Sequence, residues 1–166
     1  MKISNIILGN NVEIDLLTSI NNVIIGDGVR ISKNCNLYGS PENLLEIGVN
    51  SYVGMNCIIN GFAAKLKIGS YVSIAQNVNI MVDSGPNASL AMQNVFPIVK
   101  RAVVIGNHVW IGAGSIIMPG VVLGDFCIVA ANSYVNKSFD SFTIIGGNPA
   151  KVIRTFTEEE KQKFLG

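Results

Sequence analysis

The 166 residues contain one histidine, one tryptophan and three cysteines. One histidine cannot furnish a three-histidine zinc centre within a chain. Charged residues make up 14% and the net charge is +1. No basic patch points to nucleic acid, and no acidic block reads as a tail. No run of roughly 18 apolar residues is present, so no membrane span is expected. The start, Met1-Lys2-Ile3-Ser4-Asn5, carries one cation and an apolar stretch soon broken by Asn10-Asn11. That pattern is too weak for a signal peptide, and a cytoplasmic protein is expected. Threonine is scarce as well: only Thr18, Thr143, Thr155 and Thr157, none in the central repeats.

What the chain has is glycine at fixed spacing. An aliphatic residue precedes glycine at Leu8-Gly9, Ile25-Gly26, Ile47-Gly48, Ile68-Gly69, Ile105-Gly106 and Leu123-Gly124. Six positions after each pair begins stands another aliphatic: Ile14, Ile31, Val53, Ile74, Ile111, Val129. Four positions after it stands Val12, Val29, Ser51, Val72, Val109 or Cys127. Such regular self-similarity is the mark of a solenoid. Cys35, Cys57 and Cys127 each fall four positions after the aliphatic that opens a hexad, the slot of the small inward residue. They are expected to be buried thiols, not metal ligands or disulfides.

Ile105, Ile111, Ile117 and Leu123 recur at six-residue steps, so 18 residues make one turn of three short strands. The expected fold is all-β, a triangular prism of parallel rungs roughly 4.8 Å apart. Aliphatic ladders fill it, and Gly, Asn and Asp take its corners. The turn from Ile68 to Ile105 carries a long insertion, 83–101, and loops of that length are commonly functional. Its apolar members Leu90, Met92, Val95 and Phe96 suit docking on a neighbouring subunit. The prism is expected to end near Val135. Thr157 with Glu160 forms a capping box ahead of a short helix. The expected organisation is therefore a β-helix domain over 1–156, including the 83–101 loop, and a C-terminal helix over 157–166.

The stretch Ile105-Gly106-Asn107-His108-Val109-Trp110-Ile111-Gly112-Ala113-Gly114, then Met118-Pro119-Gly120-Val121 and Gly147-Asn148-Pro149-Ala150-Lys151-Val152-Ile153, resembles the hexapeptide-repeat acyltransferases. The nearest branch is that of the maltose, galactoside and xenobiotic acetyltransferases. The resemblance implies a left-handed β-helix, against the usual right-handed crossover rule. It implies a homotrimer with each active site between two prisms, and direct transfer from acetyl-CoA or another acyl-CoA to a sugar or nucleotide-linked sugar. Surface polysaccharide or glycan synthesis is the expected setting. Trp110, Ala113 and Ala131 are the expected donor-groove residues, with Lys151 and Arg154 for its phosphates. Carbonic anhydrases of the same fold need three histidines, and ice-binding β-helices need ranks of threonine; neither fits.

That branch usually carries a catalytic histidine in the inserted loop. Here the loop opens Asp83-Ser84-Gly85-Pro86-Asn87-Ala88-Ser89. Three readings follow. Asp83, with Ser73, can serve the reacting centre. Carboxylates are weak bases for a hydroxyl at pH 7, but an amine with a pKa of about 8 is already partly neutral and nucleophilic. Loss of a general base costs about 10²–10⁴ in rate, which an amine tolerates better. This favours N-acylation of an amino sugar. Alternatively His108, on the outward face with Trp110, is the base of an O-acetyltransferase. The third reading is a non-catalytic scaffold. Tyr52 and Asn87 are the expected acceptor-binding residues, and no metal is expected.

Overall fold

The structure, a computed structural model, describes residues 4–165; positions 1–3 and 166, at the ends of the two expected spans, lie outside the described residues. Its strands fall into three parallel faces. The first face holds Ile6–Leu8, Val23–Ile25, Leu45–Ile47, Leu66–Ile68, Val103–Ile105 and Val122–Leu123. The second holds Glu13–Ile14, Arg30–Ile31, Tyr52–Val53, Ser73–Ile74, Trp110–Ile111 and Ile128–Val129. The third holds Ser19–Asn21, Asn36–Tyr38, Ile58–Asn60, Asn79–Met81, Ile116–Ile117 and Tyr134–Val135.

The hexad register explains these faces. Each strand is only two or three residues long, so one side chain points inward and its neighbours outward. Ile25, Ile47, Ile68, Ile105 and Leu123 form one buried ladder, and Ile31, Val53, Ile74, Ile111 and Val129 a second. Leu8 opens the first of these ladders but is 47% exposed, because its strand is the edge of the first face among the described residues. Cys35, Cys57 and Cys127 are buried and free, as their slot requires. The adjacent Cys35 thiol, together with burial, pushes the Cys57 thiol up from its ordinary value.

The corners hold a departure from expectation. Asn11, Asn34, Asn50, Asn56, Asn77 and Asn132 adopt positive φ, as predicted, but so do Tyr71, His108, Phe126 and Phe142. Left-handed backbone costs an L-residue roughly 1–2 kcal/mol. These four share the corner between the first and second faces, and their rings stack face to face. Centroids lie 4.9, 4.7 and 4.9 Å apart, with interplanar angles of 1°, 3° and 8°. The rung spacing of about 4.8 Å matches ring-stacking distance, so each ring offsets the strain of its own corner.

The coil runs further than Val135. Leu123 bridges to Phe139, and Thr143–Gly147 adds to the second face before pairing antiparallel with Ala150–Thr155. The C-terminal helix, Glu158–Leu165, follows. The Thr157 hydroxyl accepts from the Glu160 amide, and the Glu160 carboxylate accepts from the Thr157 amide, closing the capping box. Phe164 of this helix reaches the ring of Phe126, 4.9 Å away.

Arg154 grips Glu160 through two bonds of 2.7 and 2.8 Å, and holds its carboxyl well below the usual range, at about 2. The depressed value fixes the sign. Stability from this contact is present above the ordinary carboxylate pKa and is lost as pH falls through about 2. Amide protection across 157–165, relative to the unstructured exchange rate at the same pH, is therefore expected to hold at pH 5 and to fall near pH 2. In Glu160→Gln, protection should already be low at pH 5.

Candidate active site

Outward side chains on the second face form a single column. Glu13, Arg30, Tyr52, Ser73, Trp110 and Ile128 stand in direct register. Ser73 is the short residue in this column, so a gap opens between Tyr52 and Trp110. Their Cα atoms are two rungs apart, roughly 9.6 Å. Trp110 is 56% exposed. The Ser73 backbone is pinned, its amide donating to the Val109 carbonyl at 2.9 Å, but its hydroxyl has no partner among the described residues. It is left available to a ligand. A cavity of about 260 Å³ adjoins Ser73 and Trp110 on the side of the aromatic corner and the C-terminal helix, lined by Tyr71, Ser73, His108, Trp110, Ile128 and Phe164 among others, and Tyr52 is not part of its wall.

Tyr52 leans away from this gap. Its hydroxyl lies 3.1 Å from the Ser32 hydroxyl, and the Arg30 guanidinium sits 5.7 Å from its ring centre. Beyond it runs a groove of about 630 Å³, lined by Glu13, Asp15, Arg30, Ser32 and Tyr52. The sequence pointed to Tyr52 but missed Arg30 and Ser32. The signal was there: Arg30 occupies the same hexad slot one turn earlier.

Asp83 stands elsewhere. It follows the third-face strand Asn79–Met81 and opens the inserted loop, where Asp83–Ser84 pairs antiparallel with Val99–Lys100. The long inserted loop of 83–101 is closed at its base by this hairpin pairing and carries one helical turn, Leu90–Gln93, capped by the Ser89 hydroxyl. Asp83 accepts a 3.1 Å hydrogen bond from the Asn60 side chain. Within one chain Ser73 stands on the second face and Asp83 at the start of the hairpin, with the third-face strand Asn79–Met81 between them. Asn87 sits exposed at the turn of the loop, its carbonyl accepting from the Gln93 amide.

His108 does not share a strand face with Trp110, as alternation suggested. It occupies a left-handed corner, φ 55°, with its imidazole sandwiched between Tyr71 and Phe126. Strand alternation stops at a corner, so the two-residue rule does not carry across. Only the edge of its ring faces the cavity.

Ala113 and Ala131 lie one above the other at the corner between the second and third faces, where their small side chains leave backbone accessible. Lys151 and Arg154 both sit on the Ala150–Thr155 strand. Lys151 has no partner among the described residues. Arg154 is engaged by Glu160, so a phosphate has to compete for it. No cluster of three or more His, Cys, Asp or Glu among the described residues can hold a metal ion. No described helix is long and apolar enough to cross a membrane.

Parallel rungs of hexads, an inserted loop between rungs and an outward gap floored by a free hydroxyl define a β-helical scaffold with an open site on its second face. Residues 102–137 match the bacterial transferase hexapeptide (six repeats) model. Over 167 residues the chain is 32% identical to the dTDP-4-amino-4,6-dideoxy-D-glucose acyltransferase of Escherichia coli, covering 95% of this chain and 84% of that one. It is 38% identical to a probable macrolide acetyltransferase of Lysinibacillus sphaericus, over 61% of this chain and 66% of that protein, just under two thirds of its length. Among solved structures it superimposes on an aspartate-to-alanine variant of AntD, an N-acyltransferase from Bacillus cereus, in complex with dTDP and coenzyme A. The TM-score is 0.80, with 28% identity, covering 95% of this chain and 89% of that one. The chain belongs to the hexapeptide-repeat acyltransferases, and its solenoid is their left-handed β-helix.

AntD has also been solved with the same aspartate changed to asparagine, and with a serine ten positions earlier changed to alanine, cysteine or threonine. Ser73 and Asp83 are ten positions apart in this chain.

Proposed function

We propose that this protein transfers an acyl group from an acyl-CoA to the amino group of a nucleotide-linked amino sugar. The observation that carries the reading is the pair Ser73 and Asp83: both on pinned backbone, both with an oxygen left for a ligand, and at the spacing of the pair altered in AntD. Asp83 replaces the loop histidine, and an amine needs less help from a base than a hydroxyl does.

Because the third face separates the two residues in one chain, the site is assembled from two copies. Ser73, Tyr52 and Trp110 come from one prism, and Asp83 comes from its neighbour in a homotrimer. The exposed apolar side chains of the loop, Leu90, Met92, Val95 and Phe96, support that association. The donor lies against the small corner residues Ala113 and Ala131, with Lys151 toward its phosphates. The acceptor lies over Tyr52, with Asn87 of the loop at its edge.

The amine nitrogen attacks the thioester carbonyl carbon. A C–N bond forms, and the Ser73 hydroxyl donates to the oxygen on which charge develops. Asp83 accepts the proton that the nitrogen sheds. The C–S bond then breaks, and the departing sulfur takes that proton, leaving an amide and free CoA thiol. No acyl-enzyme forms. Acyl-CoA and nucleotide-linked sugars are cytoplasmic compounds, so the protein is placed in the cytoplasm, within surface glycan synthesis.

Thiol release tests this. With acetyl-CoA, turnover is expected on dTDP-4-amino-4,6-dideoxyglucose or another nucleotide-linked amino sugar, and not on the matching 4-hydroxy sugar. Turnover of the hydroxy sugar alone would move the assignment to O-acetylation. That second reading has one observation behind it, the edge of His108 at the cavity beside Ser73. No turnover and no acyl-CoA binding by folded protein would leave a scaffold.

A further inference from the structure

Asp83 is not held by its own strand alone. Its backbone is tied on one side by the antiparallel pairing of Asp83 with Lys100. Just ahead of it, the Arg101 amide donates to the Val82 carbonyl at 2.9 Å. The side chain is fixed separately, by a residue one rung earlier. Asn60 stands in register with Met81 on the third face, and its side chain does two things. Its oxygen accepts the Phe62 amide at 2.9 Å. Its nitrogen donates to Oδ1 of Asp83 at 3.1 Å.

The first bond decides the second. A backbone N–H can only donate, so it demands the amide oxygen of Asn60, and the NH₂ end is thereby turned toward Asp83. An asparagine free to flip would present either end. The bond occupies Oδ1 and leaves Oδ2 open. Tyr38, one rung further back in the same column, lies close enough to this carboxylate that its phenol is pushed up, by burial first and by the Asp83 charge second. No ion pair involves Asp83 among the described residues, so Asn60 is its side-chain anchor.

We infer that Asn60 is the positioning residue of the acyl transfer: clamped by the Phe62 amide, it aims Asp83 so that Oδ2 faces the acceptor amine. The inference rests on the proposed role of Asp83 and adds to it the device that fixes the side chain of a carboxylate at the base of the hairpin. A carboxylate swinging about χ1 and χ2 spends little time in line with a proton, and a displacement of about 1 Å can cost 10²-fold in rate.

Two substitutions test this. Asn60→Asp keeps the acceptor for the Phe62 amide, and so keeps the turn, but replaces the donor facing Asp83 with a second carboxylate. Asn60→Ala removes both bonds. Each is expected to lower kcat by about 10- to 100-fold on the best-used nucleotide-linked amino sugar, with the KM for acetyl-CoA held within about twofold. A structural role would instead move both constants or the melting temperature. The cycle with Asp83→Ala is the deciding measurement: in that background Asn60→Ala should have no further effect. If the two losses multiply, or if Asn60→Asp keeps full kcat, Asn60 does not position Asp83. A crystal structure of Asn60→Ala with the Asp83 carboxylate unmoved would overturn the inference equally. If Asp83→Ala itself keeps full rate, the role of Asp83 fails first and takes this inference with it. The two failures are thus told apart by the single Asp83 variant.

Discussion

Asp83→Asn is expected to lower kcat by about 10²–10⁴-fold while acetyl-CoA binding stays unchanged. Asparagine keeps an oxygen that can accept from Asn60, so the hairpin and the side-chain geometry survive the change. What it loses is the ability to take a proton. Orientation and proton acceptance are thereby separated, and the loss falls on kcat, not on KM. Asp83→Ala should fall at least as far. His108→Ala, by contrast, should leave the rate within about threefold, since the imidazole presents only its edge to the cavity. Its effect should be on stability, because removing the ring breaks the stack between Tyr71 and Phe126. Steady-state thiol release on the three variants, with acetyl-CoA titration by calorimetry, checks all of this. Full activity in Asp83→Asn together with none in His108→Ala would sink the assignment of the base.

The second large effect is a gain. Ser73→Ala and Asp83→Ala are each expected to be nearly inactive as pure proteins. If each site takes Ser73 from one copy and Asp83 from the next, unfolding and refolding a 1:1 mixture will create intact sites. Random association in a cyclic trimer makes about one site in four wild-type at both positions. A mixture of two dead proteins should therefore recover about a quarter of wild-type activity, a rise of more than tenfold. A double variant carrying both changes, mixed with either single variant, should recover none. If both residues acted from the same chain, every site in the mixture would be defective, and activity would stay at the level of the parents. Sedimentation of the refolded mixture reports whether trimers formed, so a null result cannot be confused with failed assembly.

The sequence revealed the interior better than the corners. Within each run of hexads the six-residue step places the inward aliphatics, and the aliphatic-glycine pairs restart it after each insertion; Tyr52, Ser73 and Trp110 then stand on outward positions of successive rungs. The cysteines followed from the same count. Reasoning failed wherever it used neighbours along the chain instead of neighbours across rungs. His108 was set beside Trp110 by strand alternation, which a left-handed corner interrupts. Its true partners, Tyr71 and Phe126, are 37 and 18 positions away. Ser73 and Asp83, ten residues apart, frame one strand, and a corner of the prism lies between them. Asn60 was overlooked because the turns around it are not 18 residues long, which blurs the slot it shares with Tyr38 and Met81. Arg154 was read with Lys151 as a residue for the donor's phosphates. The capping box at Thr157 and Glu160 was recognised, but nothing local revealed that Arg154 would close on the same carboxylate.

The inserted hairpin leaves the prism after Val82 and returns at Arg101, yet Leu66 still pairs with Val103 and Ile68 with Ile105, as if nothing lay between them. The scaffold does not register how long the excursion is or what it contains. Recognition of one substrate can therefore be rewritten by transplanting a different hairpin at this junction, while the wall that receives the other substrate keeps its shape. Diversification in such a molecule is a matter of exchange at a seam, without any redesign of the frame.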